Sequence, residues 1–275
     1  MNFLNIFSEI EKTDPEVFER MDSRRSTMKN FANIGRKLTL TALPFALGSM
    51  FKKAYAGTTG TTETVVEILN YALTLEYLEA EFYERGNALA PIPAGAPKTA
   101  IQTIGAHETA HVNFLKTAIT GAGGQPVAKP TFDFTARGTF PTVFTDYATF
   151  LAVAQTFEDT GVRAYKGRAA EIVKGGDVLT AALNIHSVEA RHAAHIRLMR
   201  KANNFGDVKP WITGKNSGIG AAVQASYDGE ENTQQAGVEI VNIGGQTISA
   251  NAASEAFDEG LTKAQVLAIV QPFIV

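Results

Sequence analysis

Cysteine is absent from the 275 residues, which excludes disulfides, thiolate metal sites and cysteine nucleophiles. That absence does not identify the compartment, because an exported protein can do without disulfides. An excess of charge of one sign is missing too. The chain has 25 basic and 28 acidic residues, a net of −3, so no nucleic-acid partner is expected. Histidine is scarce, and its five occurrences, His107, His111, His186, His192 and His195, all fall between residues 107 and 195. The length allows one domain with additions or two small ones.

Residues 1–56 read as a leader. Ser23-Arg24-Arg25-Ser26-Thr27-Met28-Lys29 is a basic cluster with paired arginines. The moderately apolar run Leu38 to Phe51 follows, then Lys52-Lys53 and the small-x-small pattern Ala54-Tyr55-Ala56. The run is too short to span a bilayer comfortably, and the whole has the order of a signal peptide. The arginine pair resembles the twin-arginine export signal, although Thr27 stands where that pattern has a large apolar residue. The long stretch before Ser23 is also unusual. The resemblance implies a periplasmic or otherwise exported protein with no membrane span after cleavage. Because that route moves folded proteins, a metal could be loaded before export. Cleavage after Ala56 leaves 16 basic and 22 acidic residues, a net of −6.

Residues 57–204 carry four apolar patterns of helical period. The expected helices run from Thr64 to Asn87, Lys98 to Thr120, Phe144 to Val173 (with Thr145 or Asp146 as N-cap), and Asp177 to Asn203. Pro91 to Gly95 and Gly175-Gly176 make short links within the first and last pairs, while Gln125 to Thr142 is long enough to cross a bundle. One long crossover between two helix pairs is ferritin-like connectivity. The expected fold is therefore all-α, a four-helix bundle with one long crossover. Residues 205–275 read as a small appendage packed on the bundle, with a hairpin from Val238 to Ser249 and a short helix from Thr262 to Val270 before Pro272.

Each helix has a glutamate where the helical wheel demands an apolar residue. Glu76 shares its face with Leu69, Leu73 and Tyr83; Glu108 with Ile101, Ile104 and Leu115; Glu158 with Leu151, Ala154 and Tyr165; Glu189 with Ile185 and Ile196. Four converging carboxylates repel one another, and these faces offer histidine rather than a matching set of lysines or arginines. Bound metal is the economical counter-charge, and oxygen and imidazole donors suit iron or manganese. Glu108-Thr109-Ala110-His111 and Glu189-Ala190-Arg191-His192 are both Glu-x-x-His, one turn apart and able to share an ion. The halves repeat: each first glutamate has a tyrosine seven residues later, Tyr83 or Tyr165, and each second glutamate a histidine three later. Buried structural hydrogen bonds are the plainer reading of the same residues.

This pattern resembles the ligand set of the ferritin-like di-iron and di-manganese carboxylate proteins. The phrase Leu75-Glu76-Tyr77-Leu78-Glu79-Ala80-Glu81-Phe82-Tyr83, with the leader and tail, is similar to an exported branch that includes desiccation-related proteins. The resemblance implies two iron or manganese ions, one held by Glu76, Glu108 and His111 and the other by Glu158, Glu189 and His192, with Glu108 and Glu189 bridging. It implies that Tyr83 and Tyr165 hydrogen-bond the carboxylates or lend an electron, and that oxygen or peroxide is the partner. Ferroxidase-like iron handling or oxidative-stress defence follows as the first function. A non-enzymatic stress or desiccation-related envelope protein, its metal structural, vestigial or absent, is the second, and an oxygenase with an organic substrate, which would need a cavity beside the metals, is the third. A homo-oligomer is allowed, but the tail argues against a closed storage shell. His186 and His195 are candidate extra ligands or ordinary surface histidines, His107 is expected to face away, and Glu79, Glu81 and Glu84 are expected to form a solvated edge.

Overall fold

The computed structural model describes residues 63–172 and 177–275; the leader, and with it the export reading, lies outside the described residues. Four long helices dominate: α1 Val65–Leu89, α2 Ala96–Gly121, α3 Tyr147–Ala169 and α4 Asp177–Ala202. The starts of the first three have local causes. Thr64 caps α1 in a capping box with Glu67, Pro97 stands in the first turn of α2, and the Asp146 carboxylate accepts from the Thr149 amide at the start of α3. Helix α3 starts three residues later than its apolar pattern suggests, because Thr142 to Asp146 close a turn before the cap. It ends in a 3-10 turn, Ala170–Ile172. Its expected end at Val173 and the Gly175-Gly176 stop lie outside the described residues.

Helix α1 packs closely on α2, and α3 on α4, with lighter contact between the pairs. Phe82 lies at the heart of the core, stacked on Phe150 at 5.0 Å and edge-on to Phe157 at 5.1 Å. The crossover contributes Phe134 to the same group. The end of the chain holds that crossover in place: Phe132 pairs with Ile274 in an antiparallel bridge, the Val275 amide donates to the Thr131 carbonyl, and the Asp133 amide to the Phe273 carbonyl.

The tail is joined to the bundle by buried polar groups. Gln155, Asp159, Arg163 and Gly167 recur every fourth residue and so form one stripe along α3. Arg197 of α4 chelates Asp159, whose Oδ2 also accepts from the Tyr227 hydroxyl at 2.7 Å. Gln155 donates to Tyr227 and to the Ser217 carbonyl. Arg163 pairs with Glu230 at 2.7 Å and donates to the Ser226 and Asp228 carbonyls. A methyl group at Gly167 would collide with the Leu261 carbonyl, so only glycine admits the tail there. Helix α6, Lys263–Val270, starts at Thr262 in a second capping box and follows the short helix α5, Ala250–Ser254. The expected hairpin is displaced. The strands are Gln234–Gln235 and Val238–Glu239, joined by Ala236-Gly237 with both φ positive, while Ile243–Gly245 form a 3-10 turn.

Arg197 and Asp159 are both buried, so Arg197→Met should strand a carboxylate and lower stability by about 3–5 kcal/mol, and adding Asp159→Leu should recover part of it. Urea unfolding of the two variants measures this. Equal loss in single and double variants would mean the pair is not the cause.

Candidate metal centre

Glu76, Glu108, Glu158 and Glu189, one from each long helix, are fully buried. They meet in two overlapping groups: Glu76, Glu108, His111 and Glu189 offer donor atoms within 4.8 Å of one another, and so do Glu108, Glu158, Glu189 and His192. Glu108 and Glu189 belong to both. His111 turns Nδ1 inward, 3.1 Å from Glu108, 3.2 Å from Glu76 and 3.2 Å from Glu189. His192 Nδ1 stands 2.8 Å from Glu108 and 3.3 Å from Glu158. Exchanging α1 with α3 and α2 with α4 maps one group onto the other.

The tyrosines obey the same exchange. Tyr83 of α1 donates to Glu158 of α3, and Tyr165 of α3 donates to Glu76 of α1. Burial, followed by the neighbouring carboxylates, holds both phenols well above their ordinary range, so they act as neutral donors.

A fit to metal can be judged from the atoms left over. Glu108 Oε1, Glu158 Oε2, both Glu189 oxygens and His192 Nδ1 are buried without a hydrogen-bond partner. The short His192 and His111 contacts to these oxygens have ion-pair distances but not hydrogen-bond directions. All five atoms belong to the two groups, and uncompensated buried acceptors are costly. Oxygen-rich donors with one imidazole per group suit iron or manganese.

Protons carry the compensation when metal is absent. Burial raises the Glu76 carboxyl to about 7 and the Glu189 carboxyl to about 8, opposed by His111. Burial works against protonated imidazole, yet the surrounding glutamates push His111 up to about 12 and His192 up to about 10.

Two expectations are corrected here. Glu79 and Glu81 are buried, and only Glu84 is exposed. Glu79 faces the cluster: a methyl group at Gly161 would stand 3.1 Å from Glu79 Oε1 and 3.2 Å from Glu189 Oε2. Burial and then Glu189, Glu158, Glu76 and Glu108 keep its carboxyl far above the usual range. Its wheel neighbours Leu75, Phe82 and Tyr83 were a legible sign of burial. Glu81 instead joins Arg85 and Lys129. His107 does not face away: its Nδ1 meets His192 Nε2 at 3.0 Å with the rings stacked. Its position one turn before His111 was the sign, more telling than its angle to Glu108. His186 lies outside both groups, with Nδ1 on the Val162 carbonyl, and His195 is exposed.

Residues 64–202 match the family described as ferritin-like domain, half of the chain, and the protein belongs to that family. No curated protein matches the chain.

The raised carboxyl and imidazole values give stability a direction with pH. Each group binds its proton more tightly folded than unfolded. Its contribution is therefore complete below the unfolded value and is lost as pH rises, from 4.5 to about 7 for Glu76 and about 8 for Glu189, and from 6.5 to about 10 for His192 and about 12 for His111. Metal-free protein should melt at lower temperature at about pH 9 than at about pH 6, and manganous or ferrous ion should remove most of that fall. Melting curves with chelator and with metal test this; a metal-free melting point that rises over the same interval would contradict it.

Proposed function

We propose that this chain is an exported ferritin-like protein that binds two iron or manganese ions and uses them on oxygen or peroxide, as ferroxidase-like iron handling or oxidative-stress defence. The observation that carries the reading is the set of buried donor atoms without hydrogen bonds, all within two groups that share Glu108 and Glu189. Two ions held there would supply single-electron steps and open coordination positions for a small oxidant.

The protein's own residues have separable parts in this. Glu108 and Glu189 would serve both ions, Glu76 and His111 would complete the donors for one, and Glu158 and His192 those for the other. His192 presents Nδ1 inward, which leaves Nε2–H to donate to His107 and fixes the ring. Tyr83 and Tyr165 orient the carboxylates of Glu158 and Glu76, and their protons are placed for transfer at the phenol oxygens. Glu79 holds a proton next to Glu189. Leu73, Ile104, Ala154 and Ile185, each one turn from its helix's glutamate, belong to the apolar core around the donors. Export rests on the leader alone. No described helix is long and apolar enough to cross a membrane.

A second reading, a stress- or drying-related protein whose metal is structural, draws support from the buried clamp between tail and bundle. The two readings separate by experiment. Anaerobic loading should give about two ions per chain by elemental analysis. Glu76→Ala or Glu158→Ala should each lose one ion, while Glu108→Ala and Glu189→Ala should each fall below one. Oxygen uptake on adding ferrous iron should drop by at least the roughly 10–100-fold that loss of an outer partner costs. Full metal content without oxygen uptake would favour the second reading with structural metal, and less than one ion per wild-type chain would end the redox reading.

A further inference from the structure

The four candidate carboxylate ligands have no exposed surface. Of the six candidate ligands only the two imidazoles keep any, 12% of the His111 side chain and 6% of that of His192. Both line one cleft of about 320 Å³ between α2 and α4. Ala110, His107, Val188 and Arg191 line the rest of it. This is a seam where helices of different pairs meet lightly. From this side the carboxylates are reached past the two imidazoles.

A hydrated ion needs such an opening. Crossing hydrocarbon strips its water before any ligand replaces it, which is prohibitive for a divalent charge. The larger cavity beside the centre, about 420 Å³, is lined mainly by side chains such as Leu69, Ala72, Leu115 and Ile185, so it offers an ion no donors in exchange. The cleft between α2 and α4 offers imidazole nitrogens that replace water one at a time. His107 is exposed, and its Nδ1 lies 3.0 Å from His192 Nε2. His192 and His111 in turn touch the buried carboxylates. One group opposes the traffic. Arg191 is exposed in the same cleft, with Nε on the Ser187 carbonyl, and its charge repels arriving cations without occupying a ligand atom.

The geometry points to the cleft between α2 and α4 as the port through which divalent metal ions enter and leave the centre, with His107 as the outermost ligand on the way and Arg191 as the charge that slows them. This rests on the two-ion reading proposed above.

Stopped-flow uptake of cobaltous ion by the metal-free full chain, and its release to excess chelator, test the port, with final metal content measured on each sample. Arg191→Glu should speed uptake about 3–10-fold at low ionic strength, and the gain should vanish in about 1 M salt, where charges are screened beyond about 3 Å. Lys215→Glu, the same reversal at an exposed position in the tail, should leave the rate unchanged. Ala110→Trp, also at an exposed position, should slow uptake and release by the same factor, because a narrowed passage alters both rates and not the affinity. His107→Ala should slow uptake; faster release alone would make His107 a brace for His192 and remove it from the path. If Ala110→Trp does not load, Arg191→Glu decides, since a salt-sensitive gain in rate does not come from a damaged fold. Full metal content with uptake unchanged in Arg191→Glu would overturn the port and leave the two-ion reading standing. Less than one ion per wild-type chain would end that reading itself.

Discussion

Five carboxyl groups packed into one helical core are the constraint around which the rest of this protein is organised. Glu76, Glu79, Glu108, Glu158 and Glu189 sit where water cannot solvate them, and each would be costly alone. The molecule answers with His111 and His192 between them and with Tyr83 and Tyr165 donating to the outermost pair. Those groups still leave several acceptor atoms unmatched, all directed into the same small volume. A bound cation would match those acceptor atoms, and without one the raised proton affinities of the carboxyls and imidazoles answer part of the deficit.

Much of this was legible because a buried carboxylate interrupts an apolar stripe, and the interruption survives in the sequence. Glu76, Glu108, Glu158 and Glu189 each stand among leucine, isoleucine or alanine at helical spacing, and the structure brings all four to one place. Caps at Thr64, Asp146 and Thr262 were equally readable, since their chemistry is local. Glu79 ranks behind Glu76 in the sequence because its surroundings are less apolar, and His107 is turned about 100° from Glu108 on the wheel, so neither signals its place at the cluster. The hairpin was misplaced because its turn puts Ala236 at positive φ, where glycine or asparagine would have signalled it, whereas Gly244-Gly245 gives the louder cue.

The way the tail docks on the bundle was illegible for a different reason. Gln155, Asp159 and Arg163 form a polar stripe that, read alone, belongs in water. They are buried because Tyr227, Glu230 and the carbonyls of Ser217, Ser226 and Asp228 come to cover them, and nothing local encodes that meeting. The consequence reaches the centre of the bundle. Asp159 directly follows Glu158, about 100° around α3, so the clamp on one fixes the rotation that aims the other. Arg197, which grips Asp159, lies on the same helix as Glu189 and His192. Stabilising the tail and orienting three candidate ligands are therefore one structural act.

The two halves of the bundle are alike at the centre and unlike around it, and the difference falls on particular residues. The shift that carries Glu76 to Glu158 and Tyr83 to Tyr165 carries Glu79 to Gly161. The missing side chain at Gly161 is the space into which the Glu79 carboxyl projects, so the extra acid and the absent one are complementary. Likewise the shift from Glu108 to Glu189 carries His107 to Val188, and only His192 gains a partner imidazole. A doubled core with one-sided support gives two positions of equal donor type but unequal surroundings. Glu79 stands beside Glu189, which belongs to both groups, while His107 braces only His192. The ligand types repeat while the groups that surround them do not, so the symmetry of the centre stops at the donors themselves.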